Sequence, residues 1–420
     1  MLGLGQLVDV EPLRQHREFR LLFAGQLVNN IGTMVTQVAL PYQLYVLTHS
    51  ALALAALATS QLLAHVIFSI AGGPIADAMD RRRLLFRTQL GLLSVSGALT
   101  LLALSERTAA WELYVLAFLA GIFQAVERPA RQAMVPRLVA AERLTSAIAL
   151  NMASMQTARA AGPALGGAII AWAGVAAAYA LDTFSFAAGL AALVAISAMP
   201  PAEGVSRPSW QALAEGVRYV VKSPVLLSGF AVDLNAMVFG FPGGLMPVLA
   251  LDFFHVGPIG LGLMMAFRSG GAMLGALFSG WCRRIRYQGR VVISAVAVWG
   301  AAITLFGLTT IFPLALALLL IGGAADNISA ILRNTIVQLS TPDALRGRVS
   351  ALNSMVTGSG PRLGDLESTS VAAFTNAQVS VVSGGVLCLL GLLVVVRLLP
   401  QLMAYDAQAA AREQPVLTKT

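Results

Sequence analysis

Residues 31–77 read IGTMVTQVALPYQLYVLTHSALALAALATSQLLAHVIFSIAGGPIAD, and Asp77 is the first Asp, Glu, Lys or Arg in this stretch. A transmembrane helix needs about 20 predominantly apolar residues, so this stretch and the apolar residues before it are long enough for two. Strands of a membrane barrel are shorter and alternate in polarity. The stretch therefore predicts two membrane-crossing helices, at about 20–46 and 52–76.

The composition of the whole chain agrees with this interpretation. Of its 420 residues, 57% are hydrophobic and 11% are charged, and the mean hydropathy is +0.76. Soluble domains carry about 25% charged residues. Because a core cannot hide this much apolar surface, most of it must face lipid or other membrane helices. The composition thus excludes an ordinary soluble protein.

The same length criterion, applied outward to both ends of the chain, predicts twelve spans. They lie at about 20–46, 52–76, 84–104, 111–130, 145–172, 175–198, 224–252, 258–281, 290–309, 312–334, 349–373 and 378–400. We therefore expect an all-α membrane protein with twelve transmembrane helices.

Basic residues are concentrated on one side of these spans. With the N-terminus inside, 24 of the 28 fall in cytoplasmic segments, among them Arg333, and one, Arg107, falls on the opposite side. Positive residues favour the cytoplasmic side. We expect a multi-pass protein with both termini in the cytoplasm. The net charge of +8 therefore does not indicate a nucleic-acid partner.

Several kinds of chemistry lack their usual residues. The only lysines, Lys222 and Lys419, do not follow a glycine-rich loop, which excludes a Walker A phosphate site. Cys282 and Cys388 are too few for a disulfide framework or a metal site. With four histidines and no nucleophile–base constellation, we expect no enzyme activity, no metal and no cofactor.

Motifs recur at about half the chain length. Gly162-Pro163-Ala-Leu-Gly166 in span 5 recurs as Gly360-Pro361-Arg-Leu-Gly364 in span 11. Four isolated positions repeat in the same way, as Asn29 and Asn235, Pro41 and Pro247, Arg131 and Arg333, and Asn151 and Asn353. Such spacing is typical of a duplicated six-helix unit. We expect halves at 1–199 and 224–400, a cytoplasmic linker at 200–223 and a cytoplasmic tail at 401–420.

The linker has apolar residues at helical spacing with charges between them. This pattern predicts an amphipathic helix on the cytoplasmic membrane surface. The alternative is a plain solvated linker.

Residues 73–83, GPIADAMDRRR, resemble the signature loop G-x-x-x-D-[RK]-x-G-[RK]-[RK] of the major facilitator superfamily, and the resemblance extends over the whole chain. Ala78 and Asp80 depart from that pattern. Span 5 carries Gly162-Pro163-x-x-Gly166-Gly167, which is similar to the end of the exporter pattern, although Ala158 replaces one earlier glycine. The resemblance implies the major facilitator fold, with two six-helix halves.

Within the superfamily the chain resembles bacterial enterobactin (siderophore) exporters and macrolide-efflux proteins. The residues that carry this likeness are 16–20 (HREFR), 47–50 (LTHS), 80–82 (DRR) and 341–348 (TPDALRGR). The resemblance implies a secondary active transporter of the bacterial inner membrane that exports a small organic molecule by alternating access. Its expected partners are membrane lipid, the small-molecule substrate and protons, and we expect a monomer.

The first cytoplasmic loop suggests a conformational latch, formed by Gly73, Asp77, Arg81 and Arg82. Asp77 lies at the inner end of span 2, on the side where span 11 begins, and a helix N-terminus attracts a carboxylate. That contact would hold the halves together in an outward-open state. Alternatively, the arginines serve topology and attract anionic lipid.

The repeated glycine–proline elements predict close helix packing between the halves. Glycine lets helix backbones approach, and proline permits bending. The residues involved are Gly162, Pro163, Gly166, Gly167, Gly360, Pro361 and Gly364. Ordinary small-residue packing is the alternative.

Charged residues within spans carry the strongest functional signal, since each costs roughly 2.5–3.5 kcal/mol at mid-bilayer. Asp233 and Asp326 have no basic residue within a helical turn, and such a carboxylate can carry a proton. We expect them to couple transport to protons, with Asp365 and Glu367 as further candidates. The substrate-cavity or charge-pair candidates are Arg159, Arg268, Arg362, Asn29 and Asn235.

Alternatives exist for these residues. The charges can form neutralised pairs that orient helices, and Arg362 and Asp365 can pair on one helix face. We expect Asp182 near the outer end of span 6, in water, and His65 as a hydrogen-bonded interior residue. For the whole chain, the alternatives to export are an importer of the same fold and a non-transporting membrane sensor.

Overall fold

The computed structural model describes residues 9–105, 107–197, 210–277, 280 and 285–407, except the side chains of 69–78, 128, 133, 210–213 and 344. These residues form helices and no strand. The helices are α1 (Glu11–Gln15), α2 (Arg17–Thr48), α3 (Ala51–Ala78), α4 (Arg81–Ser105), α5 (Ala110–Leu138), α6 (Leu144–Val194), α7 (Trp210–Lys222), α8 (Pro224–Phe239), α9 (Met246–Val248), α10 (Gly257–Leu277), α11 (Gln288–Leu308), α12 (Phe312–Leu339), α13 (Asp343–Phe374), α14 (Ala377–Leu398) and α15 (Gln401–Ala404).

The long helices fit the predicted membrane crossings. In the described ranges, nine stretches are long and apolar enough to cross a membrane. One of them, Ala141–Val194, has length for two crossings and breaks at Gly174, where φ is 79° and ψ is 175°. The first and eleventh predicted spans are α2 and α13, two more polar helices of 32 residues each. The all-α membrane fold is confirmed, and the helices are consistent with twelve crossings.

Two helices run further than predicted at their C-terminal ends. α5 continues to Leu138 past Pro129 and Pro136, and α12 continues to Leu339. As a result Arg333, which the charge pattern assigns to a cytoplasmic segment, is 6% exposed on α12. The helix continues for another turn and buries the guanidinium, and the side of the membrane on which Arg333 lies stays a prediction.

The chain forms two compact units. The first unit consists of Met1–Arg207 with His255–Ala266, and the second of Pro208–Phe254 with Phe267–Thr420. His49 and His255, 206 residues apart, are the only described non-glycine residues with positive φ (46° and 53°). Each follows the first long helical segment of its half.

The linker helix α7 packs onto the second unit along one face. Tyr219 donates a hydrogen bond to the carbonyl oxygen of Ser340 at 3.1 Å, and Glu215 pairs with Arg348. Val220 is buried in an apolar cluster with Leu226, Val337 and Val349. Val217 and Val221 remain exposed on the other face. Contacts with the end of α12 and the start of α13 therefore stabilise the position of α7 in the second unit.

Candidate functional site

Asp233 on α8 has a cationic partner in the second unit. Its Oδ1 lies 2.5 Å from Nη2 of Arg333 on α12, and both side chains are buried. Arg333 also donates a hydrogen bond to the Ser329 hydroxyl, one turn earlier. The expectation that Asp233 is an unpaired carboxylate is wrong, because its partner comes from a helix that is distant in sequence. The alternative of a neutralised pair applies here, with an arginine that the sequence analysis did not consider.

Arg268 on α10 contacts an aromatic ring and interacts electrostatically with two carboxylates. Its guanidinium carbon is 4.5 Å from the centre of the Phe241 ring, a cation–π geometry. It interacts electrostatically with Asp326 on α12 and Asp365 on α13. We refer to Asp233, Arg268, Asp326, Arg333 and Asp365 as the charge cluster of the second unit. It brings together three of the four predicted proton-coupling residues.

The turn after α8 holds Asp365 in this cluster. The backbone N–H of Gly244 donates to Asp365 Oδ1 at 2.6 Å. A Cβ at Gly243 would lie 2.7 Å from the same oxygen, and one at Gly244 would lie 2.9 Å from Thr369. The carboxylate approaches the turn this closely because both residues are glycine.

Asp326 keeps the character predicted for it. It is half-buried and interacts electrostatically with Asp233 and Arg268. Within the described part of the chain it forms no hydrogen bond and no ion pair within 4 Å. It therefore remains a carboxylate without a fixed hydrogen-bond partner beside an arginine.

The other charged candidates occupy different positions. Arg362 donates to the carbonyl oxygen of Gly358 at 2.5 Å and interacts electrostatically with Asp365, as expected for residues one turn apart. Glu367 is half-buried on α13. Arg159 is exposed on α6 of the first unit. The structure thus places Arg362 beside the charge cluster and Arg159 in the other unit.

The two equivalent asparagines pack in the same way within their own units. A Cβ at Gly189 would meet the Asn29 amide, and one at Gly391 would meet the Asn235 amide. Asn235 donates to the carbonyl oxygen of Cys388 at 2.8 Å. Asn29 is 4% exposed. Both positions support interhelical packing, and a role in a substrate cavity stays a prediction.

Asp182 on α6 is buried rather than in water. It is 3% exposed, and three hydroxyl groups surround its carboxylate. Its partners are Thr36 on α2 at 2.8 Å, Ser96 on α4 at 3.0 Å and Ser185 on α6 at 3.4 Å. The prediction of a solvated Asp182 is wrong because α2 and α4 cover this part of α6. We refer to the three hydroxyls as the hydroxyl cage.

Glu127 on α5 is a second buried carboxylate that the sequence analysis missed. It is 5% exposed, 3.7 Å from Arg131 and within 3.5 Å of the Gln89 amide nitrogen. Glu127 lies inside the predicted span at 111–130, but it was not counted among the charged residues of the spans. The i, i+4 spacing of Glu127 and Arg131 is the signal that indicates a charge pair on one helix face.

Of the latch residues, Gly73 and Asp77 fall among those whose side chains lie outside the described residues. Arg82 donates to the carbonyl oxygens of Leu193 at 3.2 Å and Val194 at 2.7 Å. A cation at a helix C-terminus is favourable, so Arg82 stabilises the end of α6. Arg81 lies beside it at the start of α4. The latch itself stays a prediction.

The glycine–proline elements pack against the first long helix of their own unit. A Cβ at Gly166 would lie 3.2 Å from the Val35 backbone, and Gly162 abuts Met34. In the second unit, Gly360 and Gly364 abut Met237. Each element therefore supports packing within a unit, and packing between the halves stays a prediction.

Gly167 makes a further close contact inside the first unit. A Cβ there would lie 3.0 Å from the Cα of Gly262 on α10. A Cβ at Gly262 would in turn lie 3.0 Å from the Cα of Gly167. The two helices meet backbone to backbone at this point, as glycine permits.

In the described ranges, no group of three or more His, Cys, Asp or Glu side chains is placed to hold a metal ion. The charge cluster contains two arginines and three carboxylates, and the Phe241 ring lies against Arg268. Such a combination can bind a polar or aromatic solute, and its carboxylates can exchange protons.

Comparison with known proteins identifies the family. The model for a transmembrane secretion effector matches residues 8–419. An enterobactin exporter of Citrobacter koseri is 28% identical over 400 residues, which cover 93% of this chain and 94% of that protein. An enterobactin exporter of Shigella boydii is 28% identical over 365 residues, covering 85% and 86%.

Solved structures show the same fold at lower identity. A POT family transporter in complex with 5-aminolevulinic acid has a TM-score of 0.75 at 13% identity, covering 92% of this chain and 97% of that one. A bacterial homologue of the iron transporter ferroportin has a TM-score of 0.69 at 15% identity, covering 92% and 99%. The predicted resemblance to major facilitator exporters is confirmed, and with it the prediction of a membrane transporter. The chain belongs to the transmembrane secretion effector family of the major facilitator superfamily.

Proposed function

We propose that this transporter exports a small organic molecule, siderophore or drug-like, in exchange for protons. The observation that carries the proposal is the match to the transmembrane secretion effector family. It covers residues 8–419, and thus nearly the whole chain. The relatives named enterobactin exporters support a siderophore as the first substrate to test. The transporter works as a monomer in the bacterial inner membrane with both termini in the cytoplasm, and it catalyses no chemical reaction.

The charge cluster supports a role in both substrate binding and coupling. Arg268 presents its guanidinium next to the Phe241 ring, so an aromatic or anionic solute can meet a cation and a π-face together. Asp326 and Asp365 are the coupling carboxylates, with Glu367 nearby on the same helix as Asp365. Asp233 is the weakest of the four candidates because Arg333 already neutralises it.

Transport in inverted membrane vesicles tests the proposal. When the lumen is made more acidic than the medium, so that protons leave the vesicles down their gradient, vesicles holding the protein should accumulate enterobactin, and a protonophore should abolish the accumulation. Arg268→Ala should weaken uptake, while Arg397→Ala, an exposed arginine at the end of α14, should not. Accumulation that ignores the pH gradient would contradict proton coupling. Uptake in the opposite direction would favour the importer.

A further inference from the structure

The hydroxyl cage around Asp182 differs from the charge cluster in one chemical respect. Asp233 is fixed by a guanidinium, which donates hydrogen bonds and cannot accept them. The partners of Asp182 are hydroxyl groups, each of which can both donate and accept. Within the described part of the chain, all of its hydrogen-bond partners are of this kind.

Two of the hydroxyls already have a second acceptor within reach. Ser96 Oγ lies 3.0 Å from Asp182 Oδ2 and 3.3 Å from the carbonyl oxygen of Tyr179. Ser185 Oγ lies 3.4 Å from Asp182 Oδ1 and 2.7 Å from the carbonyl oxygen of Asp182 itself. If the carboxyl takes up a proton, either hydroxyl can turn to its carbonyl and accept the new O–H. No buried polar group is then left without a partner, which would otherwise cost about 1–3 kcal/mol.

Among the described residues, no charged side chain interacts with this carboxylate. The helices packed against it, α2 and α4, present Thr36 and Ser96. On its own helix, the titratable neighbour is Tyr179, whose hydroxyl donates to the Gln43 side chain at 2.8 Å. Gly32 leaves room for the carboxylate, since a Cβ there would lie 2.7 Å from Asp182 Oδ1. In the part of the chain that the structure describes, the carboxylate is thus buried without an ion pair.

We propose that Asp182 is a proton-binding site of the first unit, which gains and loses a proton by rotation of the Ser96 and Ser185 hydroxyls. The proton binds a carboxylate oxygen and leaves to water when the site is hydrated. The site would act in addition to the coupling carboxylates of the second unit, so it rests on the proposed proton exchange for its role in transport.

Infrared difference spectroscopy of the full chain in lipid nanodiscs tests the site directly. Lowering the pH should produce a band from the carbonyl stretch of a protonated carboxyl group. Asp182→Asn should remove this band. Ser96→Ala should keep this band and move it to higher wavenumber, because the protonated carboxyl group loses the hydrogen bond between its O–H and the Ser96 hydroxyl. Asp343→Asn, a change at an exposed carboxylate, should leave the band as it is.

The outcomes separate this site from the proposed function. If the band in Asp182→Asn and in Ser96→Ala is the same as in the native protein, the proposal is overturned. A carboxyl band that changes with the sodium concentration at constant pH would overturn it as well. Ser96→Ala serves the test even if Asp182→Asn does not fold. A band that behaves as expected in a protein without proton-driven efflux would overturn the proposed function and leave the proton site standing.

Discussion

Asp233 on α8 and Arg333 on α12 form a buried ion pair, one hundred residues apart in sequence and 2.5 Å apart in space. Removal of one partner leaves an uncompensated charge in a low-dielectric region, which costs about 3–5 kcal/mol. We therefore expect Asp233→Asn or Arg333→Gln to reduce the amount of folded protein and to lower the Tm in detergent. Fluorescence-detected size-exclusion and thermal unfolding measure both effects.

A double variant separates the ion pair from a transport role. Asp233→Leu with Arg333→Leu should recover much of the lost stability, since an apolar pair of similar volume can replace a buried ion pair. The matched control is the exposed pair of Asp343 and Arg346, whose loss should cost at most about 1 kcal/mol. Full stability of the single variants together with loss of coupling would instead assign Asp233 to proton transfer.

Asp326 gives the sharpest test of coupling in the second unit. Because it has no ion pair to break, Asp326→Asn should leave expression and Tm close to those of the native protein. Proton-driven efflux should be lost, and exchange of substrate down its own gradient should remain. Vesicle assays with and without a pH gradient measure the difference, and normal pH-driven efflux would transfer the role to Asp365 or Glu367.

The close contact of Gly364 with α8 predicts a position-specific cost. A Cβ at Gly364 would collide with the carbonyl oxygen of Met237. A backbone atom cannot relieve this clash by changing rotamer, as a side chain can. Gly364→Ala should therefore destabilise the protein by about 1–3 kcal/mol, measured as a fall in Tm. Gly229→Ala on α8 meets nothing within 4 Å and should be neutral or stabilising, because alanine favours a helix by about 1 kcal/mol. Equal effects of the two changes would contradict this packing.

Topology can be tested at two positions that the structure leaves exposed. In a protein with Cys282 and Cys388 replaced by serine, Arg107→Cys should react with an impermeant maleimide added to intact cells. Asp343→Cys should react only after the membrane is opened. The positive-inside pattern requires this order, and the reverse order would refute the predicted orientation.

The sequence predicted the helices well and their pairings poorly. Long apolar runs have a simple physical cause, so the bounds of α4 and α11 were predicted within a few residues. The partner of Asp233 depends on which face α12 turns toward α8, and no local pattern in either helix specifies that. The environment of Asp182 was predicted wrongly for the same reason. Thr36 and Ser96 are distant from it in sequence, and only the packing of α2 and α4 against α6 places their hydroxyls next to its carboxylate.

The break at Gly174 has a practical consequence for experiments on this protein. Its φ of 79° with ψ of 175° is a conformation that is almost exclusive to glycine, and a side chain would add strain of about 1–3 kcal/mol. A single residue turns the chain between two predicted spans, so there is no loop to cut or to extend. We therefore expect neither protease cleavage nor antibody binding at Gly174. A reporter tag inserted here would need its own linker.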